Sequence, residues 1–222
     1  MCNPVAVVPV APLSRVKTRL SPLLSQLERS KLVLCMLSDV VTALKATSSI
    51  QETIVVTSDD KVAKYATSLG VNTLIERHPP ELNAALVLAT SKLLNEFPDC
   101  ASLIVPVDIP MLEPSSLMEV IRLADDASES IVIAAQSNNG GTNLLLRLPS
   151  DIINPSFGQD SFTIHRSKAL SKGIRFEEYK SRNISLDIDT ADDLKEFMGI
   201  GMQTNTWDYL KNEIDVAKRV AK

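Results

Sequence analysis

Apolar residues along this chain recur with two periods that take turns, one suited to buried strands and one to amphipathic helices. Val5-Ala6-Val7-Val8-Pro9-Val10 is a near-continuous apolar run, the pattern of a strand covered on both faces. Ser25-Gln26-Leu27-Glu28 has capping-box spacing and opens an apolar-periodic helix to about residue 44. Thr53-Ile54-Val55-Val56-Thr57 reads as a short strand. Asp59 or Asp60 then caps a helix that Gly70 ends. A strand is expected over 71–75, a helix over 80–94 and a both-face-buried strand over 101–107. Pro114 suits the first turn of another helix, and Ile131-Val132-Ile133-Ala134-Ala135 a central strand. Such alternation implies a mainly parallel sheet with right-handed crossovers and flanking helices.

The rhythm changes after Gly140-Gly141. Strands are expected over 143–147 and 173–179, around a helix starting near Asp160. The stretch 184–188 leads into a helix capped by Thr190. A C-terminal helix from about 204 sets Trp207, Leu210, Ile214, Ala217 and Val220 on one stripe, read as core packing. With no repeat, low-complexity tract or linker, the expectation is one α/β domain over 1–222.

Composition narrows the class only slightly. Net charge is −4, which argues against a general nucleic-acid coat but leaves room for one cationic pocket. Cys2, Cys35 and Cys100 have no paired spacing and read as a reduced, cytoplasmic set, with Cys35 and Cys100 expected to be buried. His78 and His165 are too few for a zinc site with these cysteines. No apolar run is long enough to span a membrane, and with a strand starting at Val5 no signal peptide is expected.

The candidate chemistry is phosphate chemistry. The first strand runs into Arg15-Val16-Lys17-Thr18-Arg19, three cations in five residues. Pro9 and Pro12 fix an irregular path there, and in open α/β sheets the ligand crevice lies at such strand ends. Lys17 and Arg19 are therefore read as phosphate ligands, Arg15 less firmly. The loop is expected to be exposed. Asp108 ends an apolar strand, where an unpaired acid is costly, and is read as a metal ligand rather than a turn residue. Asp187 and Asp189, two apart in extended chain, form a second acidic site, with Asp187 facing Asp108. Asp192 and Asp193 are read as helix-capping acids. Gly140-Gly141-Thr142 and Gly158 with Ser161, ahead of a helix, can bring amides and hydroxyls to an anion. Ser161 and His165 can share a helix face, but no third group makes them a nucleophile pair, and His165 is read as a packed helix residue. Cations beside a strand end and acids fit for a divalent metal point to a nucleotidyltransferase.

An ordered set of short motifs carries a resemblance. These are Lys17-Thr18-Arg19-Leu20-Ser21, Glu28-Arg29, Met36-Leu37-Ser38-Asp39-Val40, Leu82-Asn83-Ala84-Ala85 and Asp108-Ile109-Pro110-Met111-Leu112. Gly141-Thr142-Asn143, Phe157-Gly158 with Ser161-Phe162 and His165, and Asp187-Ile188-Asp189-Thr190 with Asp193-Leu194 follow. In this order the chain resembles the 2-phospho-L-lactate guanylyltransferase family of deazaflavin coenzyme biosynthesis, over nearly its whole length. The resemblance implies a Rossmann-like nucleotidyltransferase fold and magnesium-dependent transfer of GMP from GTP to a small phosphorylated carboxylic acid. By matched position, Lys17 and Arg19 would hold the GTP phosphates, and Leu82 and Asn83 would lie in the guanine region. Asp108 and Asp187 would hold magnesium, with Asp189 a weaker third, while Thr142, Gly158 and Ser161 would hold the acceptor. The chain departs from the family at Ala11, where a further Lys is common, at Glu81 before Leu-Asn, and at Val107 before the metal Asp.

Two other readings stay open. One is a nucleotidyltransferase acting on a sugar phosphate or another cofactor precursor, disfavoured because no glycine precedes Gly70. The other is a non-catalytic nucleotide-binding protein of the same fold, disfavoured by the presence of both Asp108 and Asp187. The acceptor (2-phospho-L-lactate, phosphoenolpyruvate or 3-phosphoglycerate) is open, as is a homodimer. No nucleic-acid or membrane partner is expected.

Overall fold

The computed structural model describes residues 3–76, 81–127, 130–214, 216 and 219. Among these, seven strands form one sheet in the order β3-β2-β1-β4-β6-β5-β7. They are β1 Val5–Pro9, β2 Glu52–Thr57, β3 Asn72–Ile75, β4 Ser102–Ile104, β5 Ile131–Gln136, β6 Thr142–Leu148 and β7 Arg175–Glu178. Neighbours pair parallel except around β6, which runs antiparallel to both β4 and β5. The mainly parallel sheet expected from the alternation is thus present, and the change of rhythm after Gly141 is where the chain reverses. Gly141 has room only for hydrogen at that reversal, since an added Cβ would stand 2.9 Å from Ser137 Oγ.

β1 occupies the centre with every residue buried, as its unbroken apolar run requires. One face is covered by α1 (Gln26–Ala46), α2 (Asp60–Ser68), α4 (Pro114–Asp125) and α7 (Ala191–Ile200). The other carries α3 (Leu82–Glu96) and α5 (Ser161–Ser171). The short α8 (Asn205–Asp208) passes into a π-helical stretch over Tyr209–Ile214, whose Tyr209, Leu210 and Ile214 join the first core. Asp39 of α1 holds this end by accepting from the Asn205 and Thr206 backbone N–H groups at 2.8 and 2.9 Å. On the predicted stripe, Ala217 and Val220 lie outside the described residues, as do Cys2 and His78.

Local chemistry sets the helix starts as read. Ser25 and Glu28 make a complete capping box, and so do Thr190 and Asp193. Asp59, not Asp60, caps α2, and Pro114 stands in the first turn of α4.

Three expectations need correction, and one helical turn was not foreseen. The strand expected over 101–107 is shorter, ending at Ile104 by its ladder, because Pro106 has no N–H to continue it. Val105 still donates to Val7 O at 3.0 Å. The stretch that leads into the Thr190-capped helix begins in a helical turn not foreseen in the sequence, α6 (Arg182–Ser185), with Leu186 extended after it. Cys35 and Cys100 are half-buried, Cys35 sitting on the edge of the core. The cationic loop is not an exposed arm. Leu13, Val16, Leu20 and Leu24 anchor it in the core, and buried Arg29 donates to the carbonyls of Val16 and Leu24.

Candidate active site

The carboxyl ends of β1, β2 and β4 open onto one crevice, as open α/β sheets predict. It has two lobes. The first, about 310 Å³, is lined by Val10, Ala11, Arg15, Lys17, Thr57, Ser58, Glu76, Glu81 and Ala85 among others. The second, about 460 Å³, is lined by Arg19, Ser137, Asn139, Gly141, Thr142, Asn143, Gly158, Gln159, Ser161 and Asp187. Leu82, Pro106, Asp108, Phe157 and Asp189 line both and mark the boundary.

The acids predicted from far-apart segments converge at that boundary. One carboxylate oxygen from each of Asp108, Asp187 and Asp189 lies within 4.8 Å of the others. Two backbone contacts bring the segments together. Ile188 N–H donates to Asp108 O at 3.0 Å, and Asn138 N–H to Ser185 O at 2.9 Å. The Asn143 side-chain amide donates to Ile184 O at 2.8 Å and to Asp187 Oδ1 at 3.3 Å. Burial, then the charge of Asp108, pushes the Asp187 carboxyl up to about 6 against the relief from Asn143. Asp193 is spent on capping, accepting from the Asp189 and Thr190 backbones at 3.0 and 2.7 Å.

Lys17 reaches into this cluster rather than into solvent. Its Nζ stands 2.8 Å from Asp108 Oδ2 and 2.6 Å from Asp189 Oδ1, with the side chain 7 % exposed. Its backbone sits at φ 48°, a left-handed conformation rare for a residue with a side chain. Burial alone would lower its pKa, but Asp108 and Asp189 outweigh burial and raise it. Arg15 and Arg19 are both exposed, yet they diverge, Arg15 to the first lobe and Arg19 to the second. Of the two residues expected to hold the GTP phosphates, Lys17 lines the first lobe and Arg19 the second.

Leu82 lies against both lobes, but Asn83 does not line either. Its amide is used as a peptide mimic, donating to Phe157 O at 2.9 Å and accepting from Phe157 N–H at 2.7 Å. Asn83 thus fixes the segment that carries Phe157 and Gly158. Gly158 has φ 137°, a backbone that a side chain rarely adopts. Thr142, Gly158 and Ser161 all line the second lobe. Ser161 Oγ and Thr142 Oγ1 are 3.1 Å apart, and Thr142 Oγ1 is 3.0 Å from His165 Nδ1.

Sequence reasoning missed Glu76, which follows β3 and is buried at 6 % exposure against the first lobe. Its backbone N–H donates to Thr57 O at 2.9 Å. No short-range motif marks it. Ser137, Asn139 and Gln159 were missed likewise, and the clamping role of Asn143 has no signal in its own neighbourhood.

Two lobes that each admit a polar ligand and share an edge of carboxylates form the geometry for joining two anionic partners. A nucleotidyltransferase is the class that this fold and site define. Relatives agree. The family model "Guanylyl transferase CofC like" matches residues 4–220. The 2-phospho-L-lactate guanylyltransferase of Methanothermobacter thermautotrophicus is 38 % identical over 93 % of this chain and 89 % of its own. The phosphoenolpyruvate guanylyltransferase of Sphaerobacter thermophilus is 34 % identical over 88 % of this chain and 92 % of its own. In fold, the chain is similar to a Desulfovibrio desulfuricans G20 protein assigned as a nucleotide-diphospho-sugar transferase, with TM-score 0.78 and 15 % identity over 99 % of each chain. The chain belongs to the CofC-like guanylyl transferase family. No helix among the described residues is long and apolar enough to cross a membrane.

Proposed function

We propose that the protein transfers GMP from GTP to the phosphate of a 2-phosphorylated three-carbon acid, the class that contains 2-phospho-L-lactate and phosphoenolpyruvate. A phosphate oxygen of the acceptor attacks the α-phosphorus of GTP. The bond from that phosphorus to the bridging oxygen breaks, and pyrophosphate leaves with the electron pair. The product carries a new phosphoanhydride, as a deazaflavin coenzyme precursor requires.

The observation that carries this reading is the shared edge of the two lobes at Asp108 and Asp189. GTP is assigned to the first lobe, with its α-phosphate at the edge. The acceptor is assigned to the second, near Thr142, Gly158, Ser161 and Arg19. The acceptor phosphate is already a nucleophile, so the work is alignment and charge neutralisation rather than base catalysis. Asn83 supports alignment by fixing Phe157 between the two ligands. Glu76 is assigned to guanine: it is buried against the first lobe, and its carboxylate would exchange its present contact for the adjacent N–H donors on that base's edge, which adenine does not present.

The acid cluster fits magnesium. Asp108 Oδ1 is buried with no hydrogen-bond partner, and three carboxylates within 4.8 Å carry more negative charge than Lys17 offsets. Asp108, Asp187 and Asp189 would hold the ion, and bound magnesium would neutralise phosphate charge between the lobes. Lys17, held beside the same acids at the edge of the lobes, would offer its ammonium to phosphate oxygens there.

Pyrophosphate release is the test, with GTP or ATP, each of 2-phospho-L-lactate, phosphoenolpyruvate and 3-phosphoglycerate, and magnesium present or chelated. Release is expected with GTP and the two 2-phosphorylated acids, and only with magnesium. Equal release from ATP would remove the guanine assignment, and undiminished release under chelation would remove the metal. No release with any acceptor would overturn the reading.

A further inference from the structure

His165 lies fully buried behind the second lobe, and its two ring nitrogens have unlike partners. Nε2 is 2.9 Å from the Ser156 backbone N–H, a group that can only donate. Nε2 must therefore accept, and the neutral ring carries its proton on Nδ1. Nδ1 is 3.0 Å from Thr142 Oγ1, so the ring donates to that hydroxyl. Burial, with Lys168 and Arg147 nearby, lowers the imidazole to about 4, which keeps it in this neutral form at neutral pH.

The remaining protons can be counted. Thr142 and Ser161 own one hydroxyl proton each, and their mutual contact at 3.1 Å uses one of them. The other has no acceptor among the described residues, whichever way the pair is oriented. The His165 ring cannot take it, because its near nitrogen is a donor. Thr142 is 4 % and Ser161 1 % exposed, and both line the second lobe. A surplus donor in so buried a place is stabilised by an anionic oxygen in that lobe.

We propose that His165 is a positioning residue for the acceptor: by donating from Nδ1 to Thr142, it forces the spare hydroxyl proton of the Thr142–Ser161 pair to point into the second lobe at an anionic oxygen of the acceptor. This rests on the assignment of the acceptor to that lobe. His165 touches no ligand itself and acts only through Thr142.

The test has one arm on the resting protein and one on turnover. Nitrogen NMR of histidine-labelled protein at pH 7 is expected to find His165 protonated at Nδ1 alone. An Nε2–H form or an imidazolium would overturn the proposal whether or not the protein turns over. In steady-state assays His165→Phe is expected to raise the acceptor KM roughly tenfold, leaving the GTP KM within about twofold. His165→Asn, which keeps a side-chain N–H donor, is expected to recover part of the loss. In a Thr142→Val background His165→Phe should add little, since the route runs through that hydroxyl. Additive losses, or equal losses for both substrates, would mean that His165 only fills space. Inactivity of the wild-type protein with every acceptor would instead be a failure of the functional assignment, and the NMR result would still decide the proton arrangement.

Discussion

Lys17 Nζ is 2.8 Å from Asp108 Oδ2 although 91 residues separate them along the chain. The loop after β1 and the loop after β4 are thus tied by charge at the point where the two lobes meet. The pair is part of the fold as well as of the site.

Lys17→Ala should accordingly lose both activity and stability. Removing one member of a buried pair leaves the other charge uncompensated, at about 3–5 kcal/mol when both are fully buried. Asp108 and Asp189 are 21 % and 35 % exposed, so water relieves some of this, and a loss of about 1–3 kcal/mol is expected. Denaturant unfolding with and without magnesium checks it. An unchanged midpoint would show that the pair contributes nothing to stability, and recovery by magnesium is expected because the ion replaces the lost cation.

Asp108→Asn separates folding from function in the other direction. Its Oδ1 has no hydrogen-bond partner, and Lys17 keeps the Asp189 carboxylate at 2.6 Å, so a neutral amide costs less than losing Lys17 and the fold survives. Turnover should fall by at least about a hundredfold, with the far-ultraviolet circular dichroism spectrum preserved. Near-normal pyrophosphate release by folded variant would remove Asp108 from the metal site.

Glu76→Gln tests the base. The change of a carboxylate to an amide replaces an acceptor pair by one acceptor and one donor. Hydrogen bonds to a charged group are worth about 1.5–3 kcal/mol, so the GTP KM should rise roughly tenfold or more while the acceptor KM holds. An unchanged preference for GTP over ATP would place guanine recognition elsewhere in the lobe.

The buried His165 predicts a pH dependence with a definite sign. Its pKa is about 4 in the folded protein and near 6.5 when unfolded, so the unfolded chain binds more protons between those values. The stability this group supports is fully present above about pH 6.5 and is lost as pH falls toward 4. From pH 7 to pH 5 the loss is about 2 kcal/mol, which His165→Phe should not show. Unfolding midpoints of both proteins across that range decide it; parallel curves would mean that His165 does not titrate between them.

Much of this architecture is legible locally. The unbroken apolar run of β1, the capping boxes at Ser25 and Thr190, and Pro114 at a helix start each act within a few residues. The acids Asp108, Asp187 and Asp189 stand out because charge is rare at the end of apolar segments, and they do converge. Asn83 is different. Its neighbourhood marks it as a motif residue, but its amide is taken by the backbone of Phe157, 74 residues away.

By itself the sequence determines the period of each segment, the caps that bound it, and the side chains that carry charge, because these depend on neighbours three or four residues apart. It therefore settles an α/β sheet with cations after its first strand and acids after a later one. Only the tertiary structure decides how those groups are shared. It buries Lys17 between two acids, sends Arg19 to the second lobe and brings Glu76 to the first. It reverses β6 so that Thr142 meets Ser161 and His165. These outcomes depend on the direction in which the chain crosses the sheet and on which ends of its strands lie side by side. No local pattern encodes that, because the contacts form only once the distant strands have packed.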